Sequence, residues 1–187
     1  MRNNNTFKIT LVALCVAINI VGGFLALTLK LPIYLDTIGT FLAAFTFGPL
    51  AGILTGAASS LINGMTYDVY SLYFMPTQII VGFAAGYFYK KGYFKGKKIV
   101  LGILSVTILG SIMSSIISAY VFGGITSSGS AFIVMYLKEA GIGIVKSVFS
   151  TQVFTDLIDK GIAVSLVISI INTMPFEIKK KYSIGEQ

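Results

Sequence analysis

Histidine and tryptophan are absent from the chain, and cysteine occurs once, at Cys15. Without histidine the commonest general base is missing. With a single thiol, nearly every zinc constellation and any disulfide within the chain are excluded. An enzyme built here would have few acids and no metal to work with, so no catalytic residue, metal site or cofactor is expected. Charge is scarce as well. Only 11% of the residues are charged, against about 25% in soluble domains.

Long uncharged stretches take up the rest. There are 21 such residues between Lys8 and Lys30, 31 between Asp36 and Asp68, and 21 between Asp68 and Lys90. A further 39 separate Lys98 from Lys138, and 16 separate Lys160 from Glu177. A helix needs about 20 apolar residues to cross a bilayer core of about 30 Å. Mean hydropathy is +0.86 over 187 residues, which leaves no room for a separate globular domain. The expectation is an all-α integral membrane protein, one membrane domain over residues 1–187. The net charge of +7 comes from lysines between apolar spans, not from a stripe interleaved with aromatics. It reads as loops facing the cytoplasm rather than as a nucleic-acid surface.

The pattern predicts helices over residues 9–29, 37–47, 49–64, 73–89, 99–122 and 152–173. The break at Gly48-Pro49 splits a stretch too long for one span, with proline in the first turn of the third helix. A re-entrant pair is the alternative there, because each half is short. The first span is longer than the 7–15-residue core of a signal peptide, so it is expected to be retained. Residues 131–146 are expected to lie along the outer rim. Arg2, Lys8, Lys90, Lys91, Lys95, Lys97, Lys98 and Lys179, Lys180 and Lys181 then share one side, opposite Lys30, Lys138 and Lys146. The positive-inside rule puts both termini in the cytoplasm of a plasma-membrane, multi-pass protein.

Gly48, Gly52, Gly56, Ser60 and Gly64 recur every four residues and form a smooth stripe along which helix backbones can touch. Gly82 with Gly86, and Gly110 with Ser114 and Ser118, repeat the spacing. Polar side chains inside a membrane are costly, and hence paired or functional. Asn19 reads as an interhelical hydrogen bond. The candidate binding set is Asp36, Asn63, Tyr67, Asp68 and Tyr73 at the outer ends of the second to fourth helices, with Gln78 just inside the fourth. Asp156, with Asp159 and Lys160, lies near the outer start of the sixth; Asp156 and Lys160 stand four apart and can neutralise each other. Tyrosine rings suit an aromatic ligand, an amide can bond a heterocycle edge at two points, and a carboxylate can accept from sugar hydroxyls.

Three features together resemble the substrate-binding S components of energy-coupling factor (ECF) transporters. They are Ala13-x-x-x-Ala17, the run LPIYLDTIGTFLAAFTFGPLAGILTGAASSLING (31–64) and the ending DLIDKGIAVSLVISIINTMP (156–175). The resemblance implies a six-helix bundle that captures a vitamin or similar micronutrient outside, under a lid matched here by residues 123–130. It also implies docking through Ala13 and Ala17 on a transmembrane coupling subunit driven by two cytoplasmic ATPases, and toppling of the bundle in the membrane to carry the ligand inward. The chain has no G-x-x-x-x-G-K-[ST] sequence of its own; GYFKGKK (92–98) lacks both the spacing and the hydroxyl. Acidic residues near the pocket disfavour an anionic ligand, and the reading leans to a nucleoside-like compound such as an adenine nucleoside or deoxynucleoside. A vitamin such as thiamin or riboflavin, and a stand-alone proton-coupled carrier using Asp156 or Asp159, are the alternatives.

Overall fold

The computed structural model describes residues 2–175 and Lys179, with side chains from residue 5 onward. Lys180 and Lys181 of the expected cytoplasmic set, Glu177, the side chain of Arg2 and the C-terminal end lie outside the described residues. The described chain is helical: α1 (Arg2–Thr28), α2 (Ile38–Phe47), α3 (Pro49–Thr66), a single turn α4 (Tyr70–Tyr73), α5 (Met75–Lys90), α6 (Ile99–Ile116), α7 (Ser130–Glu139) and α8 (Ile144–Thr173). A 3₁₀ turn precedes α6, and a π-helical turn, Ile117–Val121, follows it.

Burial is inverted relative to a soluble protein. Asn19, Thr40, Thr55, Ser59 and Ser111 are buried, whereas Ile9, Leu29, Leu50, Val100 and Phe154 are each more than 60% exposed. Apolar side chains turned outward need an apolar solvent, and lipid supplies it. By length and composition two stretches are able to cross a membrane, Asn5–Thr28 and Gly96–Val121. α8 has 30 residues, about 45 Å at ~1.5 Å per residue, but carries Asp156, Asp159 and Lys160 in its middle.

α2 holds the centre. Eight of its ten residues are buried, and it packs against α1, α3, α5 and α8. At about 15 Å it is short, and protein on every side makes that tolerable. Gly48, at φ +92°, turns the chain sharply into α3, which has Pro49 in its first turn. The glycine stripe is an internal seam: a Cβ on Gly52 would meet Gly82 O at 2.5 Å, and one on Gly56 would meet Gln78 O at 2.8 Å. Asn19 is fully satisfied between helices. Its Nδ2 donates to Thr40 Oγ1 (2.8 Å) and Ser59 Oγ (3.2 Å), and its Oδ1 accepts from Gly39 N–H (2.7 Å). Cys15 is fully buried and faces α2 rather than lipid.

At one end of the bundle Lys8 lies 5.8 Å from the Phe47 ring, and Lys90 approaches Gly48. Phe45 stacks on Tyr89 at 4.2 Å and meets Phe94 at 4.7 Å, filling this lysine-rich half.

α1 starts at Arg2 rather than at residue 9, and the helix expected over 99–122 ends at Ile116 with a π turn beyond it. Three further boundaries differ from expectation. α8 starts at Ile144 rather than at residue 152, so Asp156, Asp159 and Lys160 sit mid-helix and not at its outer start. The expected rim segment 131–146 divides into α7 and the first turn of α8, because Gly141 (φ +88°) and Gly143 turn the chain between them. Tyr73 belongs to the separate turn α4, since Pro76 starts a fresh helix and cannot extend the one before it.

Gly52→Ala drives a methyl into the α5 backbone and is expected to lower stability by about 1–3 kcal/mol. Gly161→Ala, where nothing lies within 4 Å, is expected to carry no such cost. Thermal unfolding of the two variants in detergent compares them.

Candidate functional site

A cavity opens at the end away from the lysine-rich turn. It encloses ≈ 60 Å³ of space, well short of the ~300–1,000 Å³ usual for small-molecule pockets, so a ring-sized ligand fits only once the walls part. The outer ends of α1 and α3, the start of α5, the loop over residues 31–37 and the residues 126–128 enclose it. Asp36, Asn63, Tyr67, Asp68 and Gln78 of the candidate set line it.

Each is placed by its own element. Gln78, 7% exposed, lies on the first turn of α5 after Pro76; its Nε2 donates to Asp36 Oδ2 at 2.7 Å. Asn63, 3% exposed, sits one turn before the end of α3. Neither the Asn63 Oδ1 nor the Gln78 Oε1 has a hydrogen-bond partner. Tyr67 donates to Ile20 O at 3.1 Å and turns its ring edge-on to Phe24. Asp68 accepts from Ser71 Oγ at 2.9 Å. Gly23 makes room where these groups meet: a Cβ there would stand 3.2 Å from the Tyr67 hydroxyl and 3.4 Å from Asn63 Nδ2.

Two candidates fall outside the lining. Tyr73, half exposed, packs edge-on against Phe122 at 5.1 Å. Asp156 is buried behind the cavity in an ion cluster. Lys160 Nζ donates to Asp156 Oδ1 (2.9 Å) and Asp159 Oδ2 (3.1 Å). Ser111 Oγ donates to Asp156 Oδ2 (2.7 Å), and Leu35 N–H donates to Asp159 Oδ1 (2.8 Å). Thr37 Oγ1 completes the set on Asp159 Oδ2 at 3.3 Å. Every carboxylate oxygen of the pair is thus engaged, and Asp159 pins both sides of Asp36 in the chain.

Of the stretch 123–130, residues 126–128 line the cavity. Phe122 is wedged among Tyr70 (4.8 Å), Tyr73 and Phe74 at one end of this stretch. Gly123 and Gly124, with φ of +58° and +84°, turn the chain after Phe122. At the other end Gly129 packs on the backbone of Lys30 and Leu31, and Ser130 Oγ lies 3.3 Å from the Tyr34 hydroxyl. Gln152 Nε2 reaches that hydroxyl from α8 at 3.4 Å.

Further lining residues, among them Gly23, Tyr34, Ser60, Ser71, Phe74 and Ser128, were not in the candidate set. Gly22-Gly23 inside an apolar helix is the signal that could have flagged a wall cut back for a ligand. Single serines carry no comparable mark.

The cavity wall has no cationic side chain among its lining residues. Desolvation, with Asp159 and then Asp156 adding repulsion against the pull of Lys160, pushes Asp36 up to about 7. The arrangement offers hydrogen-bond acceptors and aromatic faces to an uncharged or positively charged ring. Among the described residues no cluster of side chains suited to a metal occurs.

The model of the family described as ECF transporter, substrate-specific component, matches residues 7–171. The chain belongs to that family. No curated protein and no solved structure matches it.

Two outcomes follow from the charges. Lys160→Met strands two buried carboxylates and is expected to cost about 3–5 kcal/mol in thermal or denaturant unfolding. A proton held on Asp36 in the folded chain is released on unfolding between its ordinary 3.8 and about 7. Its contribution to stability is therefore present at low pH and lost as pH rises through that window. Asp36→Asn is expected to remove that part of the pH slope of the melting temperature.

Proposed function

We propose that this substrate-specific component of an ECF transporter captures a small ring-containing molecule, nucleoside-like in character, in the cavity lined in part by residues 126–128. As a member of its family it is a membrane transport subunit, not an enzyme, working with a membrane coupling component and ATPases. The observation that carries the ligand reading is the pair of buried amide oxygens without partners, on Asn63 and Gln78, in a wall with two carboxylates and no cation. An orphaned buried acceptor costs about 1–3 kcal/mol, and a ligand N–H or O–H recovers it. A carboxylate- or phosphate-bearing ligand would instead meet Asp36 and Asp68 without compensation. Tyr34, Tyr67, Tyr70 and Phe74 supply ring faces.

In this reading α1, α2, α3, α5, α6 and α8 cross the plasma membrane, with the lysine-rich end and both termini in the cytoplasm and the cavity outside. Support comes from Lys8 and the Lys90–Lys98 turn sharing one end of the bundle while Lys30 lies at the cavity end. Ala13 and Ala17 are exposed on α1 and form the docking face for the coupling subunit, with two cytoplasmic ATPases behind it. The proton-coupled alternative draws no support from Asp156 and Asp159, because both are held by Lys160.

Mass spectrometry of the compound released from purified protein tests the ligand class. A nucleoside-like or related neutral or cationic ring compound is expected, and an acidic or purely aliphatic one overturns the reading. Asn63→Ala is expected to weaken binding of that compound by about 1–3 kcal/mol in calorimetry. Ala17→Leu is expected to abolish copurification of the coupling subunit while the isolated chain keeps its affinity for ligand. Retained copurification removes Ala17 from the docking face.

A further inference from the structure

The orientation of the Gln78 amide is fixed by its neighbour. Asp36 Oδ2 lies 2.7 Å from Gln78 Nε2, and above about pH 7, where Asp36 is ionised, a carboxylate can only accept. The amide nitrogen is therefore committed to Asp36, and the oxygen is left buried and without a partner on a residue that lines the cavity. Asp36 is in turn held from both sides along the chain, by Asp159 on Leu35 N–H and on Thr37 Oγ1. The residue that orients Gln78 is thus itself anchored to α8, and the amide has no easy way to turn over. The second partnerless acceptor, Asn63 Oδ1, lines the same cavity from α3.

We propose that Gln78 is a specificity-determining residue of this cavity: with its nitrogen tethered to Asp36, its oxygen reads an N–H on the edge of the bound ring, beside Asn63. A ring that offers an amino group there satisfies the buried oxygen. A ring of the same shape that offers an oxygen leaves two acceptors facing each other. Sites built to receive a donor discriminate far more strongly than sites that sense shape alone, because the mismatched partner leaves buried groups unpaired. This assignment rests on the nucleoside-like reading above, and Asp36 acts in it as a positioning residue.

The test compares two probes that differ at one ring position: adenosine, with an amino group, and 6-methoxypurine riboside, with an oxygen acceptor and no hydrogen to donate. Equilibrium binding to the detergent-purified chain is measured at about pH 8.5, where Asp36 is ionised, for the parent protein, Gln78→Met and Asp36→Asn. The parent protein is expected to prefer adenosine by at least about tenfold, the scale of one hydrogen bond. Gln78→Met is expected to erase most of that preference by weakening adenosine alone. An asparagine at position 36 can accept or donate, which frees the Gln78 amide to turn its nitrogen toward the ligand. Asp36→Asn is therefore expected to tighten binding of the methoxy probe severalfold, a gain that damage to the fold would not produce. Equal binding of both probes by the parent protein overturns the assignment while leaving the nucleoside reading intact. An unchanged preference in Gln78→Met also overturns it. Binding of neither probe, with a different compound recovered by mass spectrometry, overturns the nucleoside reading and this assignment with it.

Discussion

Two carboxylates and one ammonium group in the middle of α8 constrain everything around them. Charges of this kind are tolerated away from water only when each is paired and each remaining oxygen is bonded. Lys160 stands between Asp156 and Asp159, but it leaves two carboxylate oxygens to be satisfied from elsewhere. Ser111 of α6 takes one, and the backbone N–H of Leu35 takes the other. α6 and the α1–α2 connection are thereby drawn onto α8. Leu35 is at φ +53°, an uncommon conformation for a side-chain-bearing residue, and the hydrogen bond to Asp159 holds it there. The next residue is Asp36. A structural ion cluster behind the cavity thus decides where a cavity residue stands.

The glycine seam between α3 and α5 acts on the other wall. With Gly52 against Gly82 and Gly56 against Gln78, the two helix axes approach closely enough that dispersion and backbone contacts replace the hydrophobic drive that lipid does not supply. The same closeness brings Asn63 and Gln78 to one cavity. Toward the outer end the two helices are held by different means. α4 and the aromatic group around Phe122 fill the space that the glycine spacing no longer governs.

The sequence made some of this legible and hid the rest for identifiable reasons. Proline after glycine at 48–49 marked the break between α2 and α3, and the four-residue spacing of small side chains marked the seam. Asn63 and Gln78 stood out because an amide in an apolar run is costly. The start of α8 was not legible, because Ser147, Ser150 and Thr151 read as loop polarity. In the helix the hydroxyls of Ser147 and Ser150 donate back to carbonyls five and four residues earlier, and Thr151 O accepts from the Thr155 hydroxyl one turn on. That shift moved Asp156 from the expected rim of the site to its buried support. Tyr73 was misplaced because ring chemistry alone does not say which way a turn faces. The stretch 123–130 was recognisable only through its family resemblance; its glycines and serines carry no periodicity.

The packing also bears on how cargo could leave. Phe41, Phe45, Tyr89 and Phe94 fill the core between the cavity and the lysine-rich end, with ring centroids as close as 4.2 Å. α2, buried almost all round, runs through this region. A route straight through the bundle would have to separate those rings and expose the satisfied polar groups of Asn19 to the gap. The stretch 123–130 is held by Gly124 against Val134, Ile144 and Val148 and by Gly129 against Lys30 and Leu31. The ring-filled core, packed on every side, resists local opening more than any surface stretch of the chain.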